Sequence, residues 1–73
     1  MDLNLWNNSI GDLGFEELFN NINNRDGEII LDVRENNSIG EDGMDLMEEY
    51  SLYDFGDYFK RKKENILIWC DNV

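Results

Sequence analysis

Two short, nearly continuous apolar runs punctuate the chain, one at residues 28–33 and one at residues 65–70. Both are rich in β-branched side chains, which is typical of strands covered on both faces, as in a parallel sheet. A third segment, Leu3-Asn4-Leu5-Trp6, alternates between apolar and polar positions and predicts an edge strand.

Helical spacing of apolar residues occupies the stretches between these strands. A helix is predicted over residues 13–24 from an i, i+3, i+4, i+7 stripe made by Phe15, Leu18, Phe19 and Ile22. The segment Asn24-Arg25-Asp26-Gly27 predicts its end and a turn. A second helical region is predicted over residues 41–63 and broken near Ser51, after which the inward stripe is Leu52, Phe55 and Phe59.

The resulting order, β-α-β-α-β, predicts one small α/β domain spanning residues 1–73. We expect a three-stranded, mostly parallel sheet with right-handed crossovers and two or three helices. The alternative is an α+β fold with an antiparallel sheet, because two crossovers are cramped in 73 residues.

A repeat underlies this order, since residues 7–12 (Asn-Asn-Ser-Ile-Gly-Asp) recur at residues 36–41 with Glu in place of Asp. Serine followed three residues later by an acidic residue is a helix-start pattern, in which the hydroxyl accepts an orphan backbone N–H. The identity is either a true repeat or chance. In both cases we expect each copy to connect the end of a strand to the start of a helix.

Size and composition limit how the chain is stabilised. A domain of 73 residues has a small core, and its single cysteine, Cys70, excludes an intramolecular disulfide. The fold therefore relies on packing or on association, which leaves a homodimer open.

Free cysteine fits a reducing cytoplasmic setting, and the longest apolar run is too short for a membrane helix. We therefore expect a cytoplasmic protein with no membrane association.

The residue types argue against an enzyme. The chain has no histidine and no phosphate-binding glycine motif, and no basic residue adjoins Cys70 in sequence to lower the pKa of its thiol. Calcium-loop spacing fails at both candidate glycines, Gly27 and Gly43, so neither a metal nor another cofactor is predicted. Asp32 interrupts an apolar strand, and we expect it to accept from a loop amide or to pair with Arg34.

Charge gives the strongest indication of function. Residues 1–59 carry fifteen acidic side chains against two arginines, and the whole chain has a net charge of −11. Such a surface repels nucleic acid and anionic membranes and attracts basic proteins. Along the predicted helices the carboxylates recur about 5–6 Å apart, close to the spacing of backbone phosphates. The predicted partner-binding residues are Glu16, Glu17, Glu41, Asp42, Asp45, Glu48, Glu49, Asp54 and Asp57.

Three further features complete this prediction. Tyr50, Tyr53 and Tyr58 are candidate anchors or core residues, since aromatic residues are enriched at binding hot spots. Lys60-Arg61-Lys62-Lys63 is expected to complement the carboxyl end of a helix and to pair with the acidic stretch. The alternative for the acidic residues is a solvated face without a binding role.

In size, acidity and lack of histidine, the chain resembles the small inhibitors that bacteriophages use against host defences, including DNA mimics that block restriction or CRISPR effectors. That resemblance implies a non-enzymatic inhibitor of a basic nucleic-acid-binding protein or nuclease, acting in the host cytoplasm. It implies no direct binding to nucleic acid.

A second resemblance concerns the segment Ile30-Leu31-Asp32-Val33 followed by Ser38-Ile39-Gly40. Its order is similar to that of STAS-like anti-sigma-factor antagonists, and it implies Ser38 as a regulatory residue. The alternative function is therefore a small α/β regulatory, immunity or STAS-like module that binds one protein partner by shape.

Overall fold

A computed structural model describes residues 1–36 and 39–72. In chain order, the elements are β1 (Asp2–Asn4), α1 (Asp12–Ile22), β2 (Ile29–Asp32), α2 (Glu41–Asp45), β3 (Ser51–Asp54), β4 (Tyr58–Lys63) and β5 (Ile66–Asp71). None of the helices in these ranges is long and apolar enough to cross a membrane.

The strands form a single mixed sheet in the order β1-β2-β5-β4-β3. β1 pairs with β2 and β2 pairs with β5 in parallel, whereas β4 runs antiparallel to both β5 and β3. The prediction of a three-stranded, mostly parallel sheet is therefore wrong. The sheet has five strands, and its antiparallel ladders hold more residue pairs than its parallel ones.

The error arises in residues 41–63, which contain one short helix and two strands rather than a long broken helix. Tyr53, Tyr58 and Phe59 favour strands, and Leu52 and Phe59 lie in strands rather than on a helical stripe. The hairpin between β3 and β4 is stabilised at its turn, where the Gly56 N–H donates to the Asp54 carboxylate at 2.8 Å and Gly56 has φ +88°. Pairing with the apolar β5 thus outweighs the helical spacing.

The predicted strands at residues 28–33 and 65–70 are confirmed as β2 and β5, and the predicted helix over 13–24 as α1. Both helices pack on one face of the sheet. The core combines α1 residues Phe15, Phe19 and Ile22 with Met47, Tyr50 and the inward side chains Ile29, Leu31, Val33, Ile39, Ile66, Ile68 and Cys70. Burying these side chains is the main source of stability.

The two copies of the repeat do link a strand to a helix, but Ser9 of the first copy does not cap α1. α1 and α2 begin after Gly11 and Gly40, which make no side-chain capping hydrogen bond, and Ser9 has a positive φ of 57°. Ser38, the cap and regulatory residue suggested by the sequence, lies outside the described residues.

Asn36 of the second copy organises the loop of the first. Its side-chain oxygen accepts hydrogen bonds from the N–H groups of Asn8 and Ile10, at 2.9 and 2.8 Å. Its amide nitrogen donates to the carbonyls of Leu5, Val33 and Arg34. One buried side chain therefore satisfies five backbone groups and fixes the parallel pair of strand–loop–helix units side by side.

Candidate functional site

The exposed carboxylates of the helices and the turn after α2 form one surface, which we call the acidic layer. Its members are Glu16, Glu17, Glu41, Asp42, Asp45, Glu48 and Glu49. α1 and α2 are joined by Asp12, whose Oδ1 accepts hydrogen bonds from the N–H groups of Gly40 and Gly43, at 2.8 and 3.0 Å. This contact holds the two carboxylate-bearing helices against each other.

The predicted i, i+4, i+8 row of Glu41, Asp45 and Glu49 does not lie on one helix. α2 ends at Asp45, and the chain continues through turns to Tyr50, with the N–H groups of Met47 and Glu48 donating to carbonyls three residues earlier. Only Glu41 and Asp45 keep the helical spacing. The tightening at the end of α2 places Glu48 and Glu49 beside a groove instead.

That groove, about 470 Å³ in volume, lies between the end of α1 and the segment that follows α2. Its lining includes the carboxylates of Asp45, Glu48 and Glu49 and the apolar or aromatic side chains of Phe19, Leu46 and Tyr50, with Asn23 and Lys63 completing it. A lining that combines carboxylates with apolar side chains suits a long cationic side chain, whose stem is apolar and whose end is charged. We call this feature the acidic groove.

Two cations near the acidic layer are already engaged. Lys63 donates to Glu49 at 3.0 Å, and Arg61 donates to the carbonyls of Met47 and Tyr50, at 3.4 Å each. Both side chains belong to the predicted basic cluster. That cluster forms β4 rather than a helix end, so its residues alternate between the two faces of the sheet.

The hairpin residues Asp54 and Asp57 are exposed but lie apart from the helices, contrary to the expectation that they extend a helical row. Asp54 instead stabilises its own turn. Among the three candidate aromatic anchors, Tyr50 is a core residue, and its hydroxyl donates to Asn23 at 3.0 Å. Burial raises the pKa of Tyr50, with a smaller contribution from Glu64.

The prediction that Asp32 pairs with Arg34 is confirmed, with contacts of 2.7 and 2.9 Å to the guanidinium. These hydrogen bonds raise the pKa of Arg34 above its already high ordinary value.

Cys70 is buried, as expected of a structural thiol, and burial raises its pKa to about 11. The described residues contain no group of three or more acidic or cysteine side chains placed to hold a metal ion.

The sequence reasoning missed the opposite face of the sheet, which we call the open face. There the Arg34 guanidinium lies 4.3 Å from the ring centre of Trp6, 4.9 Å from Tyr58 and 5.2 Å from Trp69. Lys60 lies 4.8 Å from the ring centre of Tyr53 and 5.5 Å from that of Phe55. In the sequence, the period-two alternation of Tyr58, Lys60 and Lys62 is the sign of a strand with this face. The same residues fall within the helical region predicted over residues 41–63.

The acidic layer and the open face are therefore chemically distinct sides of one small domain.

A scan against protein-family models finds no match for this chain, and searches of curated proteins and of solved structures find no significant relative.

Proposed function

We propose that this protein is a non-enzymatic inhibitor that binds a basic nucleic-acid-binding protein or nuclease through its acidic layer. The observation that carries the proposal is the acidic groove, whose lining combines the carboxylates of Asp45, Glu48 and Glu49 with Leu46 and Tyr50, beside the Lys63–Glu49 ion pair. An arginine or lysine of the partner fits such a groove, because its stem packs on apolar side chains while its head meets carboxylates.

The neighbouring carboxylates extend this attraction beyond a single side chain. Glu41 and Asp42 at the start of α2 and Glu16 and Glu17 on α1 are all exposed. A surface with this many exposed anions steers a basic partner toward it and accelerates association. Within the layer, Glu41 and Asp45 keep the spacing of one helical turn, which approaches the charge spacing of a phosphate backbone. We propose that the layer occupies the partner's nucleic-acid groove.

The rigidity of the layer supports the same proposal. Asp12 ties the start of α2 to α1, and Phe19 and Tyr50 pack with ring centres 5.6 Å apart beneath the acidic groove. Surfaces that are ordered before binding lose less conformational entropy when they dock. A preformed acidic layer therefore suits an inhibitor that must compete with a polyanion.

The proposal is tested with immobilised protein and nuclease-treated lysate of the native host, eluted with an increasing salt gradient and identified by mass spectrometry. The informative variant is Asp45→Lys/Glu48→Lys, which reverses two charges of the acidic groove. The matched control is Asp26→Lys/Asp57→Lys, which makes the same change in net charge at exposed positions outside the acidic layer.

We expect a nucleic-acid-binding protein that elutes at moderate salt, is displaced by added DNA or RNA, and is retained by the control but lost by the groove variant. A partner that both pairs of substitutions weaken equally would point to net charge alone. A partner that resists salt and binds the groove variant normally would contradict the proposal and favour a module that recognises its partner by shape.

A further inference from the structure

The open face is a sheet surface that no described helix covers. Side chains that point to it from the strands include Ile30, Leu67, Trp69, Tyr58 and Tyr53, because they alternate with the buried positions along each strand. Tyr53 is 47% exposed, Phe55 58% and Trp6 39%. Exposed aromatic side chains that lie together make this face a candidate interaction surface.

Charged side chains of both signs lie on this face. Lys60 and Lys62 lie on β4, on one side of the central strand β5. Asp2 lies on β1 and Glu28 immediately precedes β2, both on the other side. Glu28, Lys60 and Lys62 also line a shallow basin of about 450 Å³ together with Glu64, and Ile30 and Leu67 provide its apolar surface.

We propose that the open face is the interface of a symmetric homodimer with its two-fold axis parallel to β5. That operation stacks the central strands on each other and lays β4 of one copy over β2 of the second copy. Lys60 and Lys62 of each copy then face the half of the second copy that carries Asp2 and Glu28. The apolar centre, with Leu67 and Trp69, is buried at the axis.

The same observations favour a second copy over nucleic acid. Nucleic-acid binding requires a surplus of cations. Here Arg34 is already neutralised by Asp32, and the two lysines are balanced by acidic residues on the other half. Self-pairing uses both signs of charge. It also directs the two acidic layers outward, where salt at physiological strength screens repulsion beyond about 8 Å.

The first experiment is sedimentation velocity of the full chain over a range of protein concentrations. We expect the wild type to dimerise and Leu67→Glu to weaken dimerisation at least tenfold, because it places a charge at the two-fold axis. The matched control is Leu13→Glu, which adds the same charge to an apolar residue of α1 that is 85% exposed. We expect Leu13→Glu to keep the dimer, with circular dichroism reporting the fold of each variant.

The second experiment keeps the proposal testable if Leu67→Glu unfolds. Lys60→Glu/Lys62→Glu and Asp2→Lys/Glu28→Lys each place like charges against each other in a homodimer, so each variant alone should be monomeric. Mixing them restores opposite charges and should give a one-to-one heterodimer. Trp6 and Trp69, the only tryptophans in the sequence, both lie at the open face, so a change in tryptophan emission should accompany association.

Three results would overturn the homodimer. The wild type could stay monomeric at its solubility limit, or the dimer could be lost in Leu13→Glu but kept in Leu67→Glu. The third such result is that the mixed charge-swap variants fail to associate. Binding of a fluorescent single-stranded oligonucleotide that disappears in Lys60→Glu/Lys62→Glu would assign the open face to nucleic acid instead.

Discussion

The carboxylate of Asp12 in α1 accepts a hydrogen bond from the N–H of Gly43 in α2, at 3.0 Å. The same oxygen accepts from the N–H of Gly40, so a side chain of one helix caps the start of the next. This capping therefore comes from a side chain of another element. It also fixes the relative position of the two helices that carry the acidic layer.

Replacing Asp12 with Ala should lower the free energy of unfolding by about 1–2 kcal/mol, the usual effect of losing a helix cap. The measurement is urea unfolding followed by circular dichroism. Asp42→Ala removes a nearby exposed carboxylate and serves as control. Equal destabilisation by the two substitutions would contradict a specific capping role.

Gly43→Ala should also destabilise the domain, because a Cβ atom at this position would lie 2.7 Å from Ile39 Cγ2 and 2.8 Å from Asp12 Oδ1. Alanine has a higher helix propensity than glycine, so propensity alone would raise stability, whereas the steric clash lowers it. The sign of the change in stability therefore shows which of the two dominates. The control is Gly14→Ala in α1, where the nearest contact is an ordinary 3.4 Å. Thermal unfolding should show a loss at Gly43 and little change or a gain at Gly14.

Asn36→Ala should be among the more destabilising single substitutions, by about 2–4 kcal/mol, because it leaves several buried backbone groups without partners. Asn20→Ala, on the exposed surface of α1, should have little effect. Hydrogen exchange of the Asn8 and Ile10 amides provides a local readout. If those amides stay protected in Asn36→Ala, the side chain does not hold the loop as described.

Arg34→Ala should expose Trp6 and leave Asp32 unpaired, which shifts tryptophan emission to longer wavelength. Added guanidinium at low concentration should partly restore the emission, because the ion can occupy the position over the Trp6 and Tyr58 rings that the arginine side chain vacates. Methylammonium is the control ion, since it lacks the planar fork that pairs with a carboxylate at two points. Equal recovery of the tryptophan emission with both ions would mean that the site recognises positive charge and not the planar shape of guanidinium.

Cys70 should make stability depend on alkaline pH. Its pKa is raised by burial from about 9 to about 11, so the folded state holds the thiol proton more tightly than the unfolded state. Stability from this group is complete below about pH 9 and falls as pH rises toward 11, by at most ~2–3 kcal/mol. Comparing denaturant unfolding of wild type and Cys70→Ala from pH 8 to 11 checks this, and parallel pH curves would contradict it.

The sequence predicted those parts of the fold whose signals are local. Phe15, Phe19 and Ile22 define α1, and the apolar runs of β2 and β5 define buried strands. Residues 51–63 were misassigned because Leu52, Phe55 and Phe59 fit helical spacing, while Tyr58, Lys60 and Lys62 fit a strand. Only pairing with β5, a tertiary interaction, decides between these two patterns.

The acidic residues were predicted from residue type, but the acidic groove was not. It depends on α2 ending at Asp45, which brings Glu48 and Glu49 beside Tyr50 and Phe19 from another part of the chain. The open face was missed for the related reason that strand alternation in β4 was not recognised. Both features arise from contacts between segments that sequence spacing does not report.

The most direct test of the proposed inhibition is displacement of a labelled nucleic-acid duplex from the protein captured in the salt-gradient experiment. Wild-type protein should release the duplex, and Asp45→Lys/Glu48→Lys should require at least tenfold more protein than Asp26→Lys/Asp57→Lys. Formation of a ternary complex that retains the duplex, or equal potency of the two double variants, would contradict binding of the acidic layer in the nucleic-acid groove.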